Sequence, residues 1–423
     1  MKRMALIGLV LILVGAGAGP VAAQDVDPSS DLGQFRALRE AGMKAMDAHD
    51  TAAALDAFTK AGAILPDSPS ILLLKAQMLA AQNRKAEAHA VLTEYEKRGY
   101  ILDLKTNPDL AAVWDSDLDA LQAANTTPVG AMHVATALPG FALGQGIAYG
   151  SGGDALYVSA VRTGAVTVVN ASGSKQLLTF RPGVAAYAMG FHGGDLWAVT
   201  AASRQTRGYD TKAAIKSRVV VINPDNGAVT NTFVDTAKDR NFNSLLMGAN
   251  DLYVTDSNHG EVLRLSRYDG KFQTLVPEGY LDSPQALAEN ADGNTLIVSD
   301  FISGLYRVDL AKGALSHLAA PAGGSLLGLS QLARYGNDLI AVETGFKPER
   351  VVRLHMSADW SKVDSEEVIL RGGDTLSQPA GGLVDGDHFV FIARSQWDNL
   401  DDHGNALKAD PDPVVVGALQ LNP

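Results

Sequence analysis

Asn250-Asp-Leu-Tyr-Val-Thr-Asp-Ser-Asn-His-Gly-Glu-Val-Leu-Arg-Leu265 reads as a strand, a polar turn and a second strand. Leu252, Tyr253 and Val254 are strand formers that follow the turn signal Asn250-Asp251. Asp256 to Gly260 is rich in turn residues, and Val262, Leu263 and Leu265 resume the strand pattern. The phrase recurs. Leu156-Tyr-Val-Ser159 leads through Arg162-Thr-Gly164 to Val166-Thr-Val-Val169. Leu296-Ile-Val-Ser-Asp300 leads through Ser303-Gly304 to Leu305-Tyr-Arg-Val308. Weaker copies begin at Asp195, Asp338 and His388. The six copies are about 40 to 56 residues apart, a period that signals a propeller or a solenoid.

From Met132 to Pro423 the chain is nearly all strand and turn. The pattern predicts a mainly β fold, a six-bladed β-propeller over residues 131–423. Each blade has four strands, A to D, with A innermost. The blades fit Gly146–Phe180, Ala185–Val234, Asn243–Val276, Gln285–Leu318, Gly328–Leu370 and Gly381–Leu421. Met132 to Ala137 is a spare strand. Pairing it in the last blade would close the ring and remove open sheet edges.

Outside the repeats, the 423 residues are 46% hydrophobic but only 6% aromatic, so the core is expected to be mostly aliphatic. A formal charge of -12 argues against a nucleic-acid partner, which needs a basic field. Met1 to Ala23 reads as a secretory signal peptide: Lys2 and Arg3, a short apolar run from Ala5 to Val14, and small residues at Val21-Ala-Ala23. Cleavage before Gln24 would leave no membrane span and place the protein in the periplasm or outside the cell. With no cysteine, disulfides, thiol chemistry and a lipid-anchor cysteine are excluded.

Residues 32–123 carry a helical, alanine-rich pattern. Leu38, Gly42, Ala54, Phe58, Ala61 and Pro66 alternate large and small as a tetratricopeptide-like helix pair does. A shift of 34 gives Leu72, Ala76, Ala88 and Leu92. Asp50 or Thr51 can cap the second helix. A last helix is expected from about Leu110 to Ala123. Two readings stand for this small N-terminal domain: a docking groove for a protein partner, or an appendage packed on the propeller.

Topology places the site. Strand A runs along the channel and strand B returns, so residues starting A and ending B share one face. Gln145, Asn243, Gln285 and Ser330 start A strands; Arg162, Asp256, Asp300, Glu343 and Arg394 end B strands. These are expected around one channel mouth, where polar groups converge. Asp256, Asp300 and Glu343 recur at one blade position, so they suit either a hard divalent cation or the repeated capping of their own turns. His259 is either a catalytic group or a turn residue. The blade-two loop Ala201–Ser217 carries Arg204, Arg207, Tyr209, Lys212 and Lys216, as a lid over an anionic or polyhydroxyl ligand or as a solvated loop. Arg394 and Trp397 would stack on a sugar or simply pack.

At Gly144-Gln-Gly-Ile-Ala-Tyr149, Leu156-Tyr-Val-Ser159, Ser283-Pro-Gln-Ala-Leu287 and Leu296-Ile-Val-Ser-Asp300 the chain resembles the senescence marker protein/gluconolactonase (regucalcin-like) propellers. The resemblance covers about residues 131–423 and implies six blades. It further implies a channel-bound divalent cation such as calcium and hydrolysis of a sugar lactone or related ester. In that family a glutamate, an asparagine and an aspartate hold the metal. They fall here at Gln145, Gln285 and Ser330, while Asn243 keeps an amide where the family has asparagines. Asn243 and Gln285 are therefore the candidate metal ligands, with Asp256, Asp300 and Glu343 as the alternative set. Two functions follow as expectations: a lactonase-like hydrolase, or a non-catalytic ligand- or protein-binding propeller with a degenerate metal site.

Overall fold

The structure is a computed structural model that describes residues 30–140, 142–211, 216–401 and 404–422. The expected signal peptide and Lys212 lie outside these residues. Among the described residues, 24 strands form six four-stranded antiparallel sheets. Five sheets take their strands in simple chain order, and the sixth has the order Met132–Leu138, Val414–Gln420, His388–Arg394, Ala380–Asp385. The spare N-terminal strand thus becomes strand D of blade six, paired from Met132↔Leu419 to Leu138↔Val414. This closes the ring by joining the two ends of the propeller, as expected from the unpaired strand in the sequence.

Each seam between neighbouring blades has its own apolar core. Blades five and six meet through Ile340, Val342 and Val351 against Phe389, Phe391 and Leu419. Blades four and five meet through Ile297 and Leu305 against Leu339, Ala341 and Val352. Successive buried residues of strand B enter opposite seams, Leu339 and Ala341 one and Ile340 and Val342 the other, so each sheet offers one face to each neighbour. Most are aliphatic, as the low aromatic content requires.

The N-terminal segment forms five α-helices among the described residues: α1 (Asp31–Asp47), α2 (Thr51–Ile64), α3 (Pro69–Ala81), α4 (Lys85–Lys97) and α5 (Ser116–Thr126). The Asp50 carboxylate caps α2 by accepting from the Ala53 amide at 3.0 Å. Gly42 leaves room for a neighbouring ring: a Cβ there would stand 2.4 Å from Phe58. Ala54, Phe58, Ala61, Ala76, Ala88 and Leu92 are all fully buried, as the large and small pattern demands. The last helix starts later than expected. Asp115 accepts from the Asp117 and Leu118 amides and so fixes the start at Ser116, while Pro108–Leu110 makes only a 3-10 turn.

The helical segment lies on the propeller face where strands A start and strands B end, over blades four and five. Arg36 pairs with Asp282, and the Asp67 carboxylate accepts from the Leu326 amide at 3.1 Å. Ile101 N–H donates to the Lys347 carbonyl at 2.8 Å. Tyr100, fully buried, stacks obliquely on Phe346 and donates its hydroxyl to Glu343 at 2.7 Å. Glu343 also holds the buried Arg350, which donates to the Arg98 carbonyl and pairs with Glu366. These contacts give the packed-appendage reading a physical basis.

Candidate functional site in the propeller channel

In all six blades the pairing of strands A and B skips at the same place. The register shifts between Gly144 and Ile147, Ala186 and Ala188, Phe242 and Ser244, Pro284 and Ala286, Leu329 and Gln331, and Ala380 and Gly382. The residues left out of the ladder are Gln145 with Gly146, Tyr187, Asn243, Gln285, Ser330 and Gly381. A bulge takes a residue out of the cross-strand pattern and re-aims its side chain. Here the bulges form a ring, and every one of these residues lines a cavity of about 400 Å³ in the channel. Gln145, Asn243, Gln285 and Ser330 are brought together as the topology predicted. Tyr187 and Gly381 complete the ring.

Side chains in the ring hold one another. Asn243 Nδ2 donates to the Pro284 carbonyl at 3.1 Å and to Gln285 Oε1 at 3.3 Å. Its Oδ1 accepts from the Thr255 hydroxyl at 2.7 Å. Gln285 Nε2 donates to Ser283 Oγ at 2.9 Å. Gln145 Oε1 accepts from the Trp397 indole N–H at 2.8 Å, across the junction of blades six and one. Ser330 Oγ donates to the Val342 carbonyl at 3.3 Å. Burial pushes the Tyr187 phenol well above its ordinary range, so it stays protonated beside Ser203 and Thr206.

This donor set does not fit a divalent cation. Among the described residues the cavity wall has no aspartate, glutamate or histidine. The oxygens of Gln145, Asn243 and Gln285 already accept hydrogen bonds from Trp397, Thr255 and Asn243. Calcium takes six to eight oxygen ligands, and its affinity rises with their charge. Asn243 and Gln285, the expected metal ligands, therefore have no acidic partner among the described residues of this wall to complete a cation site.

The acids that end strand B are placed differently. Asp300 is fully buried and accepts from the Asp282, Ser283, Ile302 and Ser303 amides at 2.6, 2.7, 3.1 and 2.8 Å, and from the Ser303 hydroxyl at 2.8 Å. Burial nonetheless raises its pKa. Asp256 binds Arg240 at 2.9 Å, the Asn241 and Asn258 amides, and His259 Nδ1 at 2.8 Å. Glu343 belongs to Tyr100 and Arg350. No group of three or more acidic or histidine side chains able to hold a metal occurs among the described residues. The three carboxylates secure turns and the helical segment, and His259 is tethered to Asp256.

The remaining candidates surround the ring without lining the cavity. Arg207 is exposed and Tyr209 half-buried. Their loop is tied down by Arg162, which donates to the Gln205 carbonyl at 3.0 Å, and by Arg207 N–H on the Arg162 carbonyl at 2.9 Å. Arg394 donates to the Asp374 carbonyl at 2.6 Å. Trp397 acts on the site through Gln145. A second cavity of about 290 Å³, which the sequence did not signal, lies between α1, α2 and blade four, with Asp31, Tyr280, Tyr306 and His317 among its walls.

No protein-family model matches the chain, and no curated protein matches it. Solved structures do resemble it. The PQQ-bound aldose sugar dehydrogenase of Streptomyces coelicolor is 16% identical, with 70% of this chain and 99% of that one covered and a TM-score of 0.46. A putative oxidoreductase (glucose dehydrogenase) of Thermus thermophilus is 14% identical over 68% of this chain and 100% of that one, with a TM-score of 0.47. A luciferin-regenerating enzyme is 12% identical over 70% and 96%, with a TM-score of 0.49. Similarity this distant carries no activity to this chain.

Proposed function

We propose that the protein is an exported, gluconolactonase-like propeller whose channel binds a small uncharged polyhydroxyl molecule, a sugar or sugar lactone, without hydrolysing it. The observation that carries this reading is the ring of bulges. It aims carboxamides and hydroxyls, and no carboxylate, at one cavity. Amides and hydroxyls offer both donors and acceptors, which matches a polyhydroxyl ligand. The hydrolytic route of the resembled family relies on a metal-activated water. The wall supplies neither charged ligands for a metal nor a carboxylate or histidine to act as base, so a lactone is a ligand here rather than a substrate. Export rests on the leader Met1 to Ala23, and N-terminal sequencing of the secreted form should start at Gln24.

The test is calorimetric titration with methyl glucoside, run beside a pH-stat assay of glucono-lactone opening with and without calcium. Saturable binding, weakened in Gln145→Ala, with lactone opening no faster than the uncatalysed rate, is the expected result. Calcium-dependent turnover above the blank overturns the reading and restores the hydrolase.

A further inference from the structure

The channel wall changes character along its length. Strand A of each blade starts at the bulge ring and runs away from the mouth. The first positions are Gln145, Asn243, Gln285 and Ser330, with Ser244 and Gln331 next to two of them. The last positions on the same wall are Tyr149, Phe191, Leu246, Met247, Leu383 and Val384. Each of these six packs in a seam between blades, yet none of them is fully buried. A strand advances about 3.3 Å per residue, so the four steps from Gln145 to Tyr149 separate the two ends by about 13 Å. That is longer than a single sugar ring.

We propose that the channel takes an amphipathic ligand, with an uncharged hydrogen-bonding head at the bulge ring and an alkyl tail along the apolar far half. The inference rests on the reading of the mouth given above and adds the chemical class of the ligand. Met247 is central to it. Gly190 lies so close that a Cβ there would stand 2.5 Å from Met247 Cγ, so the absent side chain leaves space for the thioether. A flexible, polarizable methionine adapts its shape to an alkyl chain. The charged side chain on the wall, Arg334, is exposed and comes near the end of its strand, donating to the Gly336 carbonyl at 3.3 Å. Arg334 stands four residues after its bulge, as Met247 and Phe191 do, so charge lies at the far rim level with the tail's end and not beside the head.

The test compares methyl glucoside with octyl glucoside, kept below its micelle concentration, by calorimetry on the full chain. Burial of the alkyl chain should make octyl glucoside bind roughly tenfold tighter or more. Met247→Glu should abolish that factor and leave methyl glucoside affinity within about twofold, and Val384→Glu serves as the second variant if the first fails to fold. Gln145→Ala should weaken both ligands by the same factor. Equal affinity of the two glucosides for the wild-type protein overturns this inference and leaves the sugar-binding mouth standing. Failure of both to bind removes the reading of the mouth, and this inference with it.

Discussion

Two sets of polar side chains share one face of this propeller and meet opposite fates. The residues that end strand B are charged, and Asp256, Asp300 and Glu343 are at most 1% exposed. The residues at the start of strand A are uncharged and reach the cavity. The two sets are register neighbours: Asp256 pairs with Phe242, Asp300 with Pro284 and Glu343 with Leu329, each one residue before a bulge. The acids stay inside the ladder, where turn amides and nearby cations use every oxygen. The bulge residues have left it, and although they also bond to one another and to Trp397, they line the cavity. Position within the repeat does not by itself separate the two sets. Charge and access to the cavity do.

The contrast can be broken at several points. Glu343→Ala removes the partner of Tyr100 and leaves the buried Arg350 with Glu366 and the Arg98 carbonyl. Breaking a buried pair in this way costs about 3–5 kcal/mol, and denaturant unfolding should show it. Amide exchange in α3 and α4 should rise in the same variant, because the helical segment loses its deepest anchor. Asp300→Ala orphans the Asp282 and Ser283 amides ahead of strand A and the Ile302 and Ser303 amides and Ser303 hydroxyl in the turn after strand B, and a loss of about 2–4 kcal/mol is expected with methyl glucoside affinity unchanged. Gln145→Ala should behave in the reverse way. Its stability should change by less than about 1 kcal/mol, while binding weakens about tenfold.

The smallest effect concerns pH. Burial pushes the Glu366 carboxyl up to about 7, against the pull of Arg350. A folded pKa above the unfolded one means that the folded state takes up its proton first as pH falls. The contribution of Glu366 to stability therefore improves from pH 8 down to about 5 and is least favourable above pH 7. Thermal midpoints of the wild type and Glu366→Gln should diverge in slope over that window, by roughly 2 °C. Parallel pH profiles would show that the Arg350 cluster does not titrate.

Much of this contrast was legible in the sequence. The six repeats of the Asn250–Leu265 phrase give the blades, and topology alone places Gln145, Asn243, Gln285 and Ser330 at one mouth. The bulges are not legible, because a skipped pairing leaves no mark in a strand pattern. In sequence Tyr187 is therefore only the start of strand A in the blade Ala185–Val234, and Gly381 only the start of a blade. The alignment of Tyr187 with Asn243 across repeats is the signal that could have found it. The seats of the acids depend on residues brought from elsewhere: Arg240 for Asp256, and Tyr100, 243 positions away, for Glu343. The Trp397–Gln145 bond spans 252 positions and exists only because the ring closes.

The proposed function makes the channel an uncharged ligand site and not a cation site. Calcium titration calorimetry on chelator-treated protein tests it most directly. The expected result is no binding heat in the micromolar range and methyl glucoside binding that is the same with and without calcium. One calcium ion bound per chain at micromolar affinity, and lost in Asn243→Ala, would contradict it.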